Sequence, residues 1–297
     1  MNNYMNSAQF INMLLFISFV GCSRLFAGND LEQGMQFFNE GKYEQAKEFF
    51  KEKVKINEKD DAAYNYLGRC YLQLGAYENA VECCEKAVAN NDKVADYHFW
   101  LGQALTVKLQ NSNMFKRILL APKILDEFKK TVKLDSTHVG GHVYLGYYYL
   151  QAPALGGGDL QKAKKQSAIL LKLDEKQGRL LLIRIYEKED KSDQAGKEYE
   201  IFENSFNDST DNYQFYNNYG YFLLNQNKYD KAIAMFQKQV RLAPADANAY
   251  DSLGDGFRAA GKLEEALAEY GAALKIDPNF KASQEKYKEL KKQLSKD

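Results

Sequence analysis

The chain has 297 residues and a formal net charge of zero, with Lys plus Arg and Asp plus Glu each totalling 40. That balance lacks the basic excess of an electrostatic nucleic-acid binder, so no nucleic-acid partner is expected. With only four prolines in a chain rich in Ala, Leu, Lys, Glu and Tyr, helix is favoured from end to end.

Residues 1–27 carry one charged side chain, Arg24, and an apolar run over 10–20. The run is too short to span a bilayer and suits the core of a secretory signal. It also lacks the amphipathic pattern of a helix belonging to the fold. Two exits stay open. Phe19, Val20, Gly21 and Cys22 resemble a bacterial lipobox, which would make Cys22 a lipidated anchor. Ala27 instead offers a small residue for ordinary cleavage. Either exit implies an exported protein, periplasmic or membrane-anchored, that meets the membrane only through a lipid on Cys22.

From residue 28 onward one spacing recurs. Gly34, Gly41, Ala46 and Phe50 are followed by Gly68, Gly75, Ala80 and Cys84. The same steps return as Gly220, Asn227, Ala232 and Phe236, then as Gly254, Gly261, Ala266 and Tyr270. Small residues at fixed places let two helices approach closely, and the larger ones fill the space between them. Pro278 ends the last such helix, because proline cannot continue the hydrogen-bond ladder.

This pattern resembles the tetratricopeptide repeat, a helix–turn–helix unit. The resemblance implies an all-α fold, a right-handed tetratricopeptide superhelix (an α-solenoid). About seven units are expected, near 27–60, 61–94, 95–138, 139–175, 176–212, 213–246 and 247–280. Together they make an array over 28–280. The fifth unit is degenerate, with Ile183 where the first glycine belongs. Residues 281–297 read as a capping helix, with Tyr287, Leu290 and Leu294 on its covered side.

Two units carry extra residues. In the third, an insertion near 106–121 reads as a pair of lengthened helices, with Asn111, Ser112 and Asn113 as the turn and Pro122 starting or kinking the second helix. Met114, Phe115, Ile118, Leu119 and Leu120 then need cover. The long turn of the fourth unit supplies it, or an apolar patch stays open to a partner or membrane. In the fourth, residues 152–157 expand the turn, and Asp159 is placed to cap the following helix. Gly156, Gly157 and Gly158 are not a P-loop, since no GxxxxGK[ST] pattern and no strand accompany them. The insertion together with YLQAPALGGG resembles a recurring type of exported bacterial tetratricopeptide protein.

Catalytic signatures are missing, and the chain is read as a non-enzyme with no cofactor and no metal. Cys70, Cys83 and Cys84 read as small core residues. His98 and His142 occupy the aromatic slot also held by Tyr64, Tyr216 and Tyr250, which favours packing. His138 and His142 stand four apart, a metal-compatible spacing without a third ligand.

In this family the first helix of each unit lines the concave side. The exposed places there are expected to bind a protein or peptide: Asn65, Arg69, Gln73, Phe99, Gln103, Tyr147, Gln151, Arg184, Asn217, Tyr221, Asp255 and Arg258. Amides suit an extended backbone, and Tyr and Arg suit anchors. Leu31 and Met35 stand where the family's carboxylate clamp carries Lys and Asn, so a chaperone-tail clamp is not expected. The expected function is a protein-interaction scaffold of the cell envelope. The alternative is a small-ligand carrier or sensor with a pocket between the glycine-rich turn and the third-unit insertion.

Overall fold

A computed structural model describes residues 31–206 and 210–295. The leader, with Cys22 and Ala27, lies outside the described residues. Among these there are fifteen α-helices and no strand. The chain divides into two compact units, Met1–Phe202 and Glu203–Asp297.

The first unit holds α1 (Glu32–Asn39), α2 (Tyr43–Ile56), α3 (Asp61–Gln73), α4 (Tyr77–Asn90), α5 (Ala95–Gln110) and α6 (Met114–Leu134). It continues with α7 (Val139–Gln151), α8 (Leu160–Leu173), α9 (Glu175–Lys188) and most of α10 (Ser192–Ser205). The second unit holds α11 (Tyr213–Leu224), α12 (Tyr229–Leu242), α13 (Ala247–Ala259), α14 (Leu263–Ile276) and α15 (Lys281–Leu294). Within each unit the helices pack chiefly on their neighbours in sequence. No helix can bury its apolar stripe alone, so the pairs must stack.

The recurring spacing has a direct packing cause. A Cβ added to Gly68 on α3 would fall 2.6 Å from the Cys84 sulfur on α4. One added to Gly254 on α13 would fall 2.6 Å from the Tyr270 ring on α14. In the third pair Gly102 meets Phe128 in the same way, displaced along the sequence by the insertion. The turns inside six of the pairs carry a left-handed residue, such as Gly75 (φ 74°) and Asn227 (φ 58°), whereas the turn of the third pair does not.

The insertion lengthens both helices of the third pair. α6 begins at Met114, with Asn113 as its N-cap, and runs through Pro122. Pro122 therefore does not start this helix; it sits inside, where it has no N–H to offer the Ile118 carbonyl. The expanded turn of the fourth pair forms a short 3-10 turn, Ala154–Gly156, with Gly157 left-handed. Asp159 caps α8 by accepting from the Lys162 amide. The Tyr148 hydroxyl ties the turn to the inserted helix, lying 2.7 Å from the Gly156 carbonyl and 3.1 Å from that of Ala121.

That link does not cover the inserted apolar residues. Leu120 packs on the core, but Ile118 and Leu119 stay 64% and 69% exposed. The side chains of Met114 and Phe115 lie outside the described ones. In the second unit, Leu290 is fully buried against Ala266 and Tyr270, with Tyr287 and Leu294 beside it.

Candidate functional site

The first helices of successive pairs carry the residues expected to meet a partner. Several are more enclosed than their register suggests. Asn65, Phe99, Gln103, Tyr147 and Asn217 are buried, so the reading of these places as exposed is corrected. Neighbouring first helices approach closely enough to cover them. Arg69, Gln73, Arg184, Tyr221, Asp255 and Arg258 are half-buried, and Gln151 is exposed.

In the first unit the face centres on α3. The Arg69 guanidinium carbon lies 4.6 Å from the Phe38 ring, 4.4 Å from Tyr66 and 4.5 Å from Trp100. These rings come from α1, α3 and α5, so one cation is held by three successive pairs. No carboxylate among the described residues pairs with Arg69. Its Nε is buried without a hydrogen-bond partner, and so is the Oδ1 of Asn65 one turn earlier. A donor and an acceptor are thus left unsatisfied on one helix face, which is uncommon in a folded protein. Sequence reasoning found Asn65 and Arg69 but missed the rings around them. The signal for Trp100 was its being the chain's one tryptophan, beside Phe99.

Further along the unit, Arg184 is internally satisfied. It pairs with Glu187 at 2.8 Å, and Glu187 also accepts from the Tyr199 hydroxyl at 2.7 Å. Burial pushes the Tyr147 phenol up to about 12.

The three histidines are structural in geometry. His98 Nε2 lies 2.9 Å from the Asp92 carbonyl, and His142 Nε2 lies 2.9 Å from the Ser136 carbonyl, each six residues upstream. The Tyr250 hydroxyl makes the same bond to Pro244 at 3.2 Å. The shared slot therefore places a donor on the turn that joins one pair to the next. His98 differs in its second contact, since Nδ1 lies 2.5 Å from the Glu127 carboxylate. A backbone carbonyl only accepts, so His98 Nε2 carries hydrogen. The Glu127 bond is the main cause of a pKa raised above the ordinary imidazole value. His142 Nδ1 instead faces Gln166 at 2.7 Å. His138 caps α7 by accepting from the Gly141 amide, and its Nε2 lies 3.0 Å from Asp96. The His138–His142 spacing therefore serves a cap and a slot, and no metal-holding cluster occurs among the described residues.

The second unit closes its own face. Lys286 on α15 reaches Asp251 Oδ2 at 2.8 Å and Asp255 Oδ1 at 2.6 Å, both on α13. Ser283 donates to Asp251 at 2.6 Å. Asp255 accepts from the hydroxyls of Tyr270 at 2.8 Å and Tyr221 at 2.9 Å. Ser252 links this network to Asn217 at 2.8 Å. Burial raises the Asp251 pKa despite Lys286 and Ser283. Arg258 pairs with Glu289 at 3.2 Å. The structure thus brings Asn217, Tyr221 and Asp255 together as expected of one face. The residues that engage Asp255 and Arg258, however, belong to the capping helix of the same chain.

Comparison with known proteins agrees with this architecture. A tetratricopeptide-repeat family model matches residues 37–100, one described as YpiA-like, C-terminal tetratricopeptide repeats matches 182–246, and a further tetratricopeptide-repeat model matches 220–280. Among curated proteins, Superkiller protein 3 of Schizosaccharomyces pombe is 23% identical over 238 residues, covering 74% of this chain. The chain spans only 16% of that relative's length. The chloroplastic tetratricopeptide protein PYG7 of Arabidopsis thaliana is 34% identical over 84 residues, which is 28% of each chain. Among solved structures, a tetratricopeptide repeat protein from Parabacteroides merdae matches with a TM-score of 0.63 and 16% identity, covering 88% of this chain and 96% of its own. Yeast Tom70 matches with a TM-score of 0.67 and 15% identity, covering 96% of this chain and 62% of its own. The glycine-to-large-residue packing, the left-handed turns and these matches lead to one conclusion: the chain belongs to the tetratricopeptide-repeat family.

Proposed function

We propose that this protein is an exported, non-catalytic scaffold of the cell envelope that binds a protein or peptide on the first-helix face of its first unit. Tetratricopeptide arrays are protein-interaction scaffolds, and stacked repeats offer extended surfaces for that role. One observation carries the finer reading: the half-buried Arg69, without a carboxylate partner among the described residues, is ringed by Phe38, Tyr66 and Trp100. A partner's carbonyl or carboxylate oxygens suit such a guanidinium, and aromatic and arginine side chains are typical anchors. Gln73, half-buried, and Gln151, exposed, add amide groups on first helices of the same unit.

Asp255 and Arg258 are less suited to first contact, because α15 already engages them. The small-ligand alternative gains no support, since Tyr148 bonds the glycine-rich turn onto α6.

The test is a crosslinking pull-down from the native host with wild-type protein and Arg69→Ala. Capture of an envelope protein by the first and its loss from the second supports the reading. Equal capture by both removes the Arg69 face as the binding site. Fractionation of cells carrying wild type or Cys22→Ala decides the anchor. Release from the membrane by the substitution means lipidation, and a soluble periplasmic wild type means cleavage without a lipid.

A further inference from the structure

Four of the nine exposed large apolar residues among the described residues follow the repeat. Ile56, Leu134, Leu173 and Ile276 each end the second helix of a pair. Ile118, Leu119 and Leu155 do not; they belong to the two insertions. They are also neighbours. The Tyr148 hydroxyl lies within hydrogen-bond distance of the carbonyls of both Gly156 and Ala121, which brings the Leu119 turn of α6 beside Leu155. Leu155 is fully exposed.

Cations predominate around this patch: Asp126, one turn beyond Lys123, pairs with Lys130, and Asp159, four residues after Leu155, pairs with Lys162. From residue 106 to 125 there is no Asp or Glu, while Lys108, Arg117, Lys116 and Lys123 all fall there, in a chain whose net charge is zero. Lys116, Leu119 and Lys123 stand at i, i+3 and i+7 on one face of α6. None of the four cations pairs with a carboxylate among the described residues. The tip is firmly built: Arg117 donates to the carbonyls of Ser112 and Gln110 at 3.0 Å each, and Asn113 caps the helix.

We propose that the tip of the α5–α6 insertion, with Leu155 of the neighbouring turn, docks on an anionic lipid surface. Ile118, Leu119 and Leu155 enter the headgroup boundary, and Lys116 and Lys123 meet the anionic headgroups. Apolar side chains flanked by unpaired cations on one helix face match the chemistry of such a surface. A protein partner with a purely apolar face would leave Lys116 and Lys123 unmatched. This contact is independent of any lipid on Cys22 and of the Arg69 face.

The experiment uses the full chain carrying Cys22→Ser and Leu119→Cys, labelled with an environment-sensitive fluorophore. Cys70, Cys83 and Cys84 are buried and leave the new thiol as the reactive one. Phosphatidylglycerol–phosphatidylcholine vesicles should raise and blue-shift the emission several-fold, and brominated lipid should quench it. Phosphatidylcholine alone should not. Lys116→Gln with Lys123→Gln should raise the lipid concentration for half-maximal change by about thirtyfold, at roughly fivefold per lost charge. Arg117 is kept because it holds the tip. A label at Leu155→Cys repeats the readout if the first variant loses helicity. Emission on anionic vesicles equal to that in buffer overturns the proposal. So does a shift that appears without lipid as protein concentration rises, which would make the occupant a second copy of the chain.

Discussion

Lys286 of the last helix lies 2.8 Å from the buried Asp251 carboxylate of α13, and its ammonium also reaches Asp255. One cation from α15 therefore neutralises two carboxylates on the face that neighbouring repeats would use for a partner. Lys286→Met should destabilise the second unit by about 2–3 kcal/mol, the cost of leaving a hydrogen-bonded carboxylate enclosed without its cation. Urea denaturation together with hydrogen exchange on α15 measures it. Unchanged protection of α15 amides would mean the helix is held by Leu290 and Tyr287 alone.

The His98–Glu127 pair makes stability depend on pH with a defined sign. The folded-state pKa of His98 is raised, mainly by its bond to Glu127. Its contribution is therefore complete below the unfolded imidazole value of about 6.5 and is lost as pH rises through the raised value. Melting temperature should fall across that window in the wild type and flatten in His98→Gln.

Gly68 is held to its size by Cys84. Gly68→Ala should cost about 1–3 kcal/mol through overpacking, and Cys84→Ala in the same chain should recover part of that loss. A thermal-melt double-mutant cycle gives the coupling. Strict additivity would show that the two helices part without resistance.

Arg69 links three helix pairs through its rings. Trp100→Ala should lower stability by about 3 kcal/mol as a large aromatic is truncated, whereas Trp100→Phe should cost less than half of that. Chemical denaturation followed by circular dichroism distinguishes them. Equal losses would mean that ring–cation contact is not what holds Trp100.

The repeat was legible because its cause is local. Gly68 with Cys84, and Gly254 with Tyr270, recur at a fixed distance along the chain, and the structure shows each glycine against its large residue. The equivalence of His98 and His142 with Tyr250 was legible for the same reason, since all three bond the carbonyl six residues upstream. Exposure was less legible. Register places Asn65, Phe99 and Tyr147 on the first-helix face, but how deeply neighbouring helices cover them depends on the approach between pairs. The bond from Tyr148 to both insertions crosses two units of the repeat, and no periodicity encodes it. The Lys286 contacts likewise arise because a terminal helix occupies the place of a further repeat, which its charged composition only partly discloses.

The measurement that tests the central claim most directly is site-specific photocrosslinking in the native host. A photoreactive residue at Gln73, on the Arg69 face, should capture a discrete partner, and Arg69→Ala should abolish that adduct. The same residue at Lys165, exposed on the second helix of the fourth pair, should not yield it. An identical adduct from Lys165, or one at Gln73 that survives Arg69→Ala, would contradict binding at this face.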